Sequence, residues 1–176
     1  MEITGVKVEP ASRADLPIIH VAYAHGRALQ RETGSSVWPE FGDAAILGEI
    51  EHDNLFRVMD ADGAFAGIFT VAYDDAAIWG DLERGSHIYL HRIARAPEWS
   101  GRGLMDAILS WAIDRCTSLE REGIRIDTWG ENTPLISFYQ ARGFTLVERR
   151  HIGVDPRLPP HYHGGEFALL ERRCRS

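Results

Sequence analysis

Two cysteines in 176 residues, Cys116 and Cys174, are too few and too widely separated for a disulfide scaffold, and no CxxC spacing supports a zinc cluster. Both are expected to be free thiols, one of them in the core. Basic residues are also scarce. Nineteen Lys and Arg stand against 26 Asp and Glu, a formal net charge of −7, which disfavours a nucleic-acid partner whose phosphates need a basic face. No apolar stretch approaches the roughly 20 residues that span a bilayer, and MEITGVKVEP at the N-terminus lacks a charged-then-apolar signal pattern. The expectation is a cytoplasmic protein with no membrane partner. Internal repeats and low-complexity tracts are absent as well, so residues 1–176 are read as one domain. Motifs for other chemistries are missing too. There is no GxSxG elbow, no GxxxxGK[ST] loop, and no GxGxxG followed by an acidic residue about 20 positions on.

What the chain does have is alternation of strand-like and helix-like segments. Residues 3–10 alternate like a half-buried strand, and Ser12 with Asp15 resembles a capping box ahead of a helix over Ile18–Leu29. The breakers of ETGSSVWPEFGD at 32–43 predict a loop, and a second helix follows over Ala45–His52. Asn54–Asp60 and Ala64–Tyr73, joined through Asp62-Gly63, read as a hairpin. Ser86–Arg95 is the next strand. After APEWSGRG, the spacing of Leu104, Ile108, Ala112 and Cys116 predicts the most regular helix of the chain. A strand over Ile124–Trp129, a helix entered at Asn132-Thr133-Pro134, and strands over Phe144–Arg149 and Glu166–Glu171 complete the order βααβββαβαββ.

The most informative local feature is WSGRGLM at 99–105, a glycine-rich turn between a strand and the regular helix. Glycines let a ligand approach the backbone, and the first N–H groups of a helix carry the positive end of its dipole. Such a turn suits a pyrophosphate, and Arg102 adds a fixed positive charge. HYH at 161–163 has a residue type found in metal sites, yet no carboxylate or cysteine lies at ligand spacing beside it. A polar loop, DPRLPPHYHGG, is expected there and no metal.

Taken together, HRIARAPEWSGRGLMDAIL at 91–109 and ENTPLISFYQARGF at 131–144 resemble the two coenzyme-A motifs of the GNAT superfamily of N-acetyltransferases. The first is similar to strand, (Q/R)xxGx(G/A), helix, with Ser100, Gly101, Arg102, Gly103, Leu104 and Met105 as the hexad. Ser100 stands for the usual Gln or Arg, Met105 for a small residue, and Arg95 for a common Val. The resemblance implies an α/β (α+β) fold, a mixed and mostly antiparallel sheet of about seven strands flanked by about four helices. It implies acetyl-CoA as cosubstrate, held by the hexad, by backbone groups of Ile93, Ala94 and Arg95, and by Asn132. It further implies acetyl transfer to a primary amine of a small molecule or protein, with Tyr139 protonating the departing thiolate.

Removal of the amine proton needs a base, and His91 is the most plausible titratable group on the central strand, since an imidazole titrates near pH 6.5. His87 and Tyr89 share its strand face, and Glu131 lies at the opposite lip of the gap that the resemblance implies between the strands 86–95 and 124–129, so each could relay a proton. Trp38, Phe41 and the loop 155–165 are candidates for the acceptor pocket. A non-catalytic acyl-CoA-binding module of the same fold is the alternative, and a homodimer is left open.

Overall fold

Asp60 shows how local chemistry sets the first hairpin. Its carboxylate accepts from the N–H groups of Asp62 and Ala64, and Gly63 takes a φ of 80° that few other residues adopt without strain. The turn joins β2 (Leu55–Met59) to β3 (Phe65–Ala72), and β1 (Lys7–Pro10) pairs with β2 antiparallel. The computed structural model describes residues 5–174, so Ile3 and Thr4 of the expected first strand lie outside the described residues. Gly5 and Val6 precede the strand, with Gly5 in a turn at a φ of 97°.

Ser12 donates from both its backbone N–H and its hydroxyl to Asp15, capping the entry to α1 (Leu16–Glu32), in which Pro17 occupies a position that needs no donor. α2 spans Asp43–Glu51. The remaining elements are α3 (Ala76–Trp79), β4 (His87–Arg95), α4 (Leu104–Ser118), β5 (Gly123–Trp129), α5 (Thr133–Gln140), β6 (Thr145–His151) and β7 (Glu166–Arg173). The sequence order holds with one addition, α3, which follows β3. The strands form one sheet in the order β1-β2-β3-β4-β5-β7-β6, mixed because β4 and β5 run parallel while β2–β3, β5–β7 and β6–β7 run antiparallel. None of the helices in the described residues is long and apolar enough to cross a membrane.

The chain divides into two compact units, one made of the residues up to Val71 with Leu90–Ala112, the other of Ala72–Tyr89 with the residues from Ile113 on. In the first, Ile19, Ala22 and Tyr23 of α1 and Ile46 of α2 pack on Leu55, Ile68 and Ala94. Gly67 is glycine for want of room. A Cβ there would lie 2.6 Å from Leu104 and 2.7 Å from the Ala94 carbonyl oxygen, so the start of α4 rests directly on β3 beside β4.

In the second unit Trp79 and Tyr89 centre a cluster with Ile78, Ile152, Phe167 and Leu169. Phe167–Leu170 are buried in succession, so β7 is covered on both faces, whereas β6 alternates in burial. The two cysteines meet here. Cys116 is buried on α4, and the Cys174 thiol is half-buried and hydrogen-bonded to it. Burial, then the neighbouring thiol, pushes Cys174 up to about 12 from an ordinary 9.0. At pH 8 its alkylation by iodoacetamide is expected to be about a thousandfold slower than that of the unfolded chain, because only the thiolate reacts. Mass-spectrometric counting of labelled thiols with and without denaturant checks this, and two fast-reacting thiols in the native protein would contradict it.

Candidate active site

The glycine turn takes the shape its sequence suggests. A short 3-10 turn, Pro97–Trp99, leads into Ser100, then Gly101 at a φ of 70° and Gly103 at a φ of 75°. A Cβ at Gly101 would meet nothing within 4 Å, so its backbone conformation is what calls for glycine, and the space above it is open. The Gly103 carbonyl accepts from Asp106 and Ala107 at 3.0 and 3.1 Å, which makes Gly103 the cap of α4. The first N–H groups of a helix have no acceptor within it, and their dipole attracts an anion. Leu104 and Met105 turn their side chains into the core, leaving their backbone as the part a ligand could use. Arg102 is exposed, its guanidinium 6.0 Å from the Trp99 ring. Cradle, dipole and charge together fit a pyrophosphate.

β4 is less regular than a plain strand over Ser86–Arg95 would be. His87, Ile88 and Tyr89 pair with Gly123, Ile124 and Arg125 of β5, after which Arg92 takes a φ of 49° in the middle of the strand. Left-handed backbone is uncommon outside glycine and rarer within a strand. It lies immediately before Ile93, Ala94 and Arg95. Ala94 is buried, and Ile93 and Arg95 are half-buried. The Arg95 guanidinium donates to the carbonyls of Ala96 and Pro97 at 3.3 and 3.0 Å, folding back along its own chain.

His91 is half-buried on the same strand. His87 and Tyr89 are committed elsewhere. Tyr89 donates to Glu83 and accepts from Arg125 at 3.0 Å, while His87 faces Glu171 at 3.2 Å. Burial, then Arg125, holds the His87 imidazole below its ordinary 6.5. Sequence spacing named these side chains as proton relays; the structure ties them into a buried network around Arg125, which the sequence reading missed.

The second motif folds as an N-capped helix. The Asn132 side chain accepts from the Leu135 N–H at 3.2 Å and Pro134 sits in the first turn. Glu131 is exposed just before it. Tyr139 is 7% exposed, edge-on to Phe144 at 5.7 Å. Burial, then Asp127, pushes its hydroxyl well above the ordinary phenol value, so it stays protonated. Of the acceptor candidates, Trp38 and Phe41 pack against Tyr23 at 6.2 and 4.9 Å. In the loop 155–165, His163 bonds the Asp155 carbonyl and His161 lies on Tyr162, which stacks on Phe167. The hexad, Ile93–Arg95 and His91 thus lie in the first unit, and Asn132 and Tyr139 in the second.

The model of the acetyltransferase (GNAT) family matches residues 24–144, more than half of the chain and all of both motifs. The chain belongs to the GNAT family. A GNAT relative in sequence is the uncharacterised N-acetyltransferase YesJ of Bacillus subtilis (strain 168), 30% identical over 125 residues that make up 66% of this chain and 69% of that protein. Among solved structures, a GNAT acetyltransferase from Listeria monocytogenes 4b F2365 is 22% identical, covers 97% of this chain and 98% of its own, and superposes with a TM-score of 0.75. The spermidine N-acetyltransferase of Vibrio cholerae, in complex with CoA and spermine, is 19% identical over 97% and 96% of the two chains with a TM-score of 0.66. At these identities the structural likeness speaks for the GNAT fold.

Proposed function

We propose that the chain, as one catalytic domain, transfers an acetyl group from acetyl-CoA to a primary amine by direct attack within a ternary complex. The observation that carries this reading is the open glycine cradle at the start of α4, inside the segment that the family model matches. The hexad Ser100–Met105 holds the pyrophosphate, and backbone groups of Ile93, Ala94 and Arg95 pair with the pantetheine and polarise the thioester carbonyl. Donors fixed toward a developing oxyanion are a large catalytic term.

The amine nitrogen attacks the carbonyl carbon, the C–S bond breaks, the amine proton passes to His91, and the thiolate leaves. Tyr139, the tyrosine of the second motif, is the residue assigned to that sulfur. With its hydroxyl held above the ordinary phenol value, it acts chiefly by donating a hydrogen bond to the thiolate, because full proton transfer to a thiolate of much lower pKa runs uphill. Asn132 serves the site through the helix it caps.

Calorimetric titration with acetyl-CoA, followed by a primary-amine panel read by free thiol release, tests the proposal. Binding with amine-dependent thiol release is expected. Tyr139→Phe should lower kcat about tenfold with acetyl-CoA affinity unchanged. Binding without turnover on any amine would make the chain a cofactor-binding module, and no binding would overturn the reading.

A further inference from the structure

Arg92 is the one arginine in the described residues with a positive φ, and it has the side-chain contacts to hold that conformation. A bulky residue in left-handed backbone persists only where its surroundings over-determine it. Here the guanidinium forms an ion pair with Glu49 of α2 and lies 5.2 Å from the centre of the Phe41 ring, on the loop between α1 and α2. The Arg92 and Glu49 side chains are 24% and 26% exposed, so the pair is partly withdrawn from water. Phe41 is fixed in turn by Tyr23 and Trp38. Arg92 is thereby gripped from α2 and from the loop before it.

We propose that Glu49 is a positioning residue for the cosubstrate, acting through Arg92. By holding the guanidinium, Glu49 and Phe41 keep the strand kinked at Arg92 and so set the direction of the backbone groups of Ile93, Ala94 and Arg95. The inference rests on the proposed pairing of those groups with pantetheine. Neither Glu49 nor Arg92 is assigned a part in the chemical step. Trp38 and Phe41, read from the sequence as acceptor-pocket candidates, then serve as the inner wall of the clamp.

Glycine separates a backbone role from a charge role, because it adopts a φ of 49° without steric cost whereas alanine does not. Two probes separate the two halves of the cosubstrate. Adenosine 3′-phosphate 5′-diphosphate carries the pyrophosphate without pantetheine, and CoA carries both. Glu49→Ala and Arg92→Ala are expected to weaken CoA about tenfold and to leave the nucleotide probe unchanged. Arg92→Gly is expected to keep CoA affinity within about threefold, and Glu49→Ala should add nothing in that background.

Amide hydrogen exchange reads the kink in the ligand-free protein. Faster exchange over residues 92–95 is expected in Glu49→Ala, and Glu49→Gln should show a smaller effect. Unchanged CoA affinity and exchange in Glu49→Ala, or equal losses in Arg92→Ala and Arg92→Gly, would overturn the inference. A wild-type protein that binds no CoA would instead overturn the proposed function, and the exchange measurement would still decide whether Glu49 holds the strand.

Discussion

Gly103→Glu is expected to weaken acetyl-CoA binding by about a hundredfold or more, measured by calorimetry on protein whose circular dichroism is that of the wild type. Two separate costs meet at this position. Gly103 caps α4 at a φ of 75°, where a Cβ is strained, and the new carboxylate would stand among the first N–H groups of the helix, where the pyrophosphate is proposed to sit. A carboxylate is itself a good partner for that end of the dipole. The variant would therefore supply its own anion to the site, and each phosphate charge brought within about 8 Å would meet a repulsion of about 2 kcal/mol at an effective dielectric near 20.

Gly103→Asn is the informative control. Asparagine tolerates left-handed backbone and is among the best helix caps, so it keeps the helix while adding an uncharged side chain one methylene shorter than that of glutamate. An affinity of Gly103→Asn within about tenfold of wild type, beside the loss in Gly103→Glu, assigns the effect to charge at the cradle. Equal affinities in wild type and Gly103→Glu would remove the turn from the cosubstrate site.

That turn was legible because its determinants are local. Two glycines, a following apolar period and the strand before them lie close together in the chain, and the backbone angles found at Gly101 and Gly103 are those glycine exists to supply. The hairpin at Asp60 and the cap at Asn132 were legible for the same reason. α3 was not. Ala76–Trp79 is one turn long, too short to display a period, and it is held by Trp79 packing against Tyr89 rather than by propensity.

The kink at Arg92 was hidden differently. HIYLHRIAR reads as a strand, and nothing about an arginine announces a positive φ; the carboxylate paired with Arg92 lies 43 residues earlier, at Glu49. Sequence alternation likewise put His87, Tyr89 and His91 on one face and suggested a relay, but could not show which of them a distant arginine would claim. Neighbourhoods set by chain return, such as that of Cys116 and Cys174, were beyond reach of spacing.

The arginine that claims them yields the largest expected change in stability. Arg125→Met is expected to cost about 3–5 kcal/mol in urea denaturation, the range for removing one member of a buried ion pair. Arg125 donates to Glu171 at 3.0 Å, to the Leu82 carbonyl at 3.0 Å and to the Tyr89 hydroxyl at 3.0 Å, with its guanidinium 4.2 Å from the Trp79 ring centre. Its hydrogen-bond partners come from positions 36 to 46 residues away, so the network ties together α3, its following turn, β4, β5 and β7. Methionine fills most of the volume but leaves the Glu171 carboxylate without its guanidinium. Adding Glu171→Met should return part of the loss, since an apolar pair avoids the unpaired charge.

The same network gives stability a pH dependence of known sign. Because the folded His87 pKa lies below 6.5, the unfolded chain binds a proton that the folded chain does not, and stability falls as pH drops below about 6.5. Glu83 adds a second loss at lower pH. Burial raises its carboxyl, yet hydrogen bonds from Tyr89, Gly85 and Asp75 bring it below 4.5 overall, so its contribution disappears as those bonds lose their acceptor to protonation. In Arg125→Met the charge that helps to depress His87 is gone, and the slope below about pH 6.5 should flatten while the absolute stability drops. A cost under about 1 kcal/mol with an unchanged slope would mean that Arg125 adds nothing to the fold and that Trp79 packing alone holds this part of the chain.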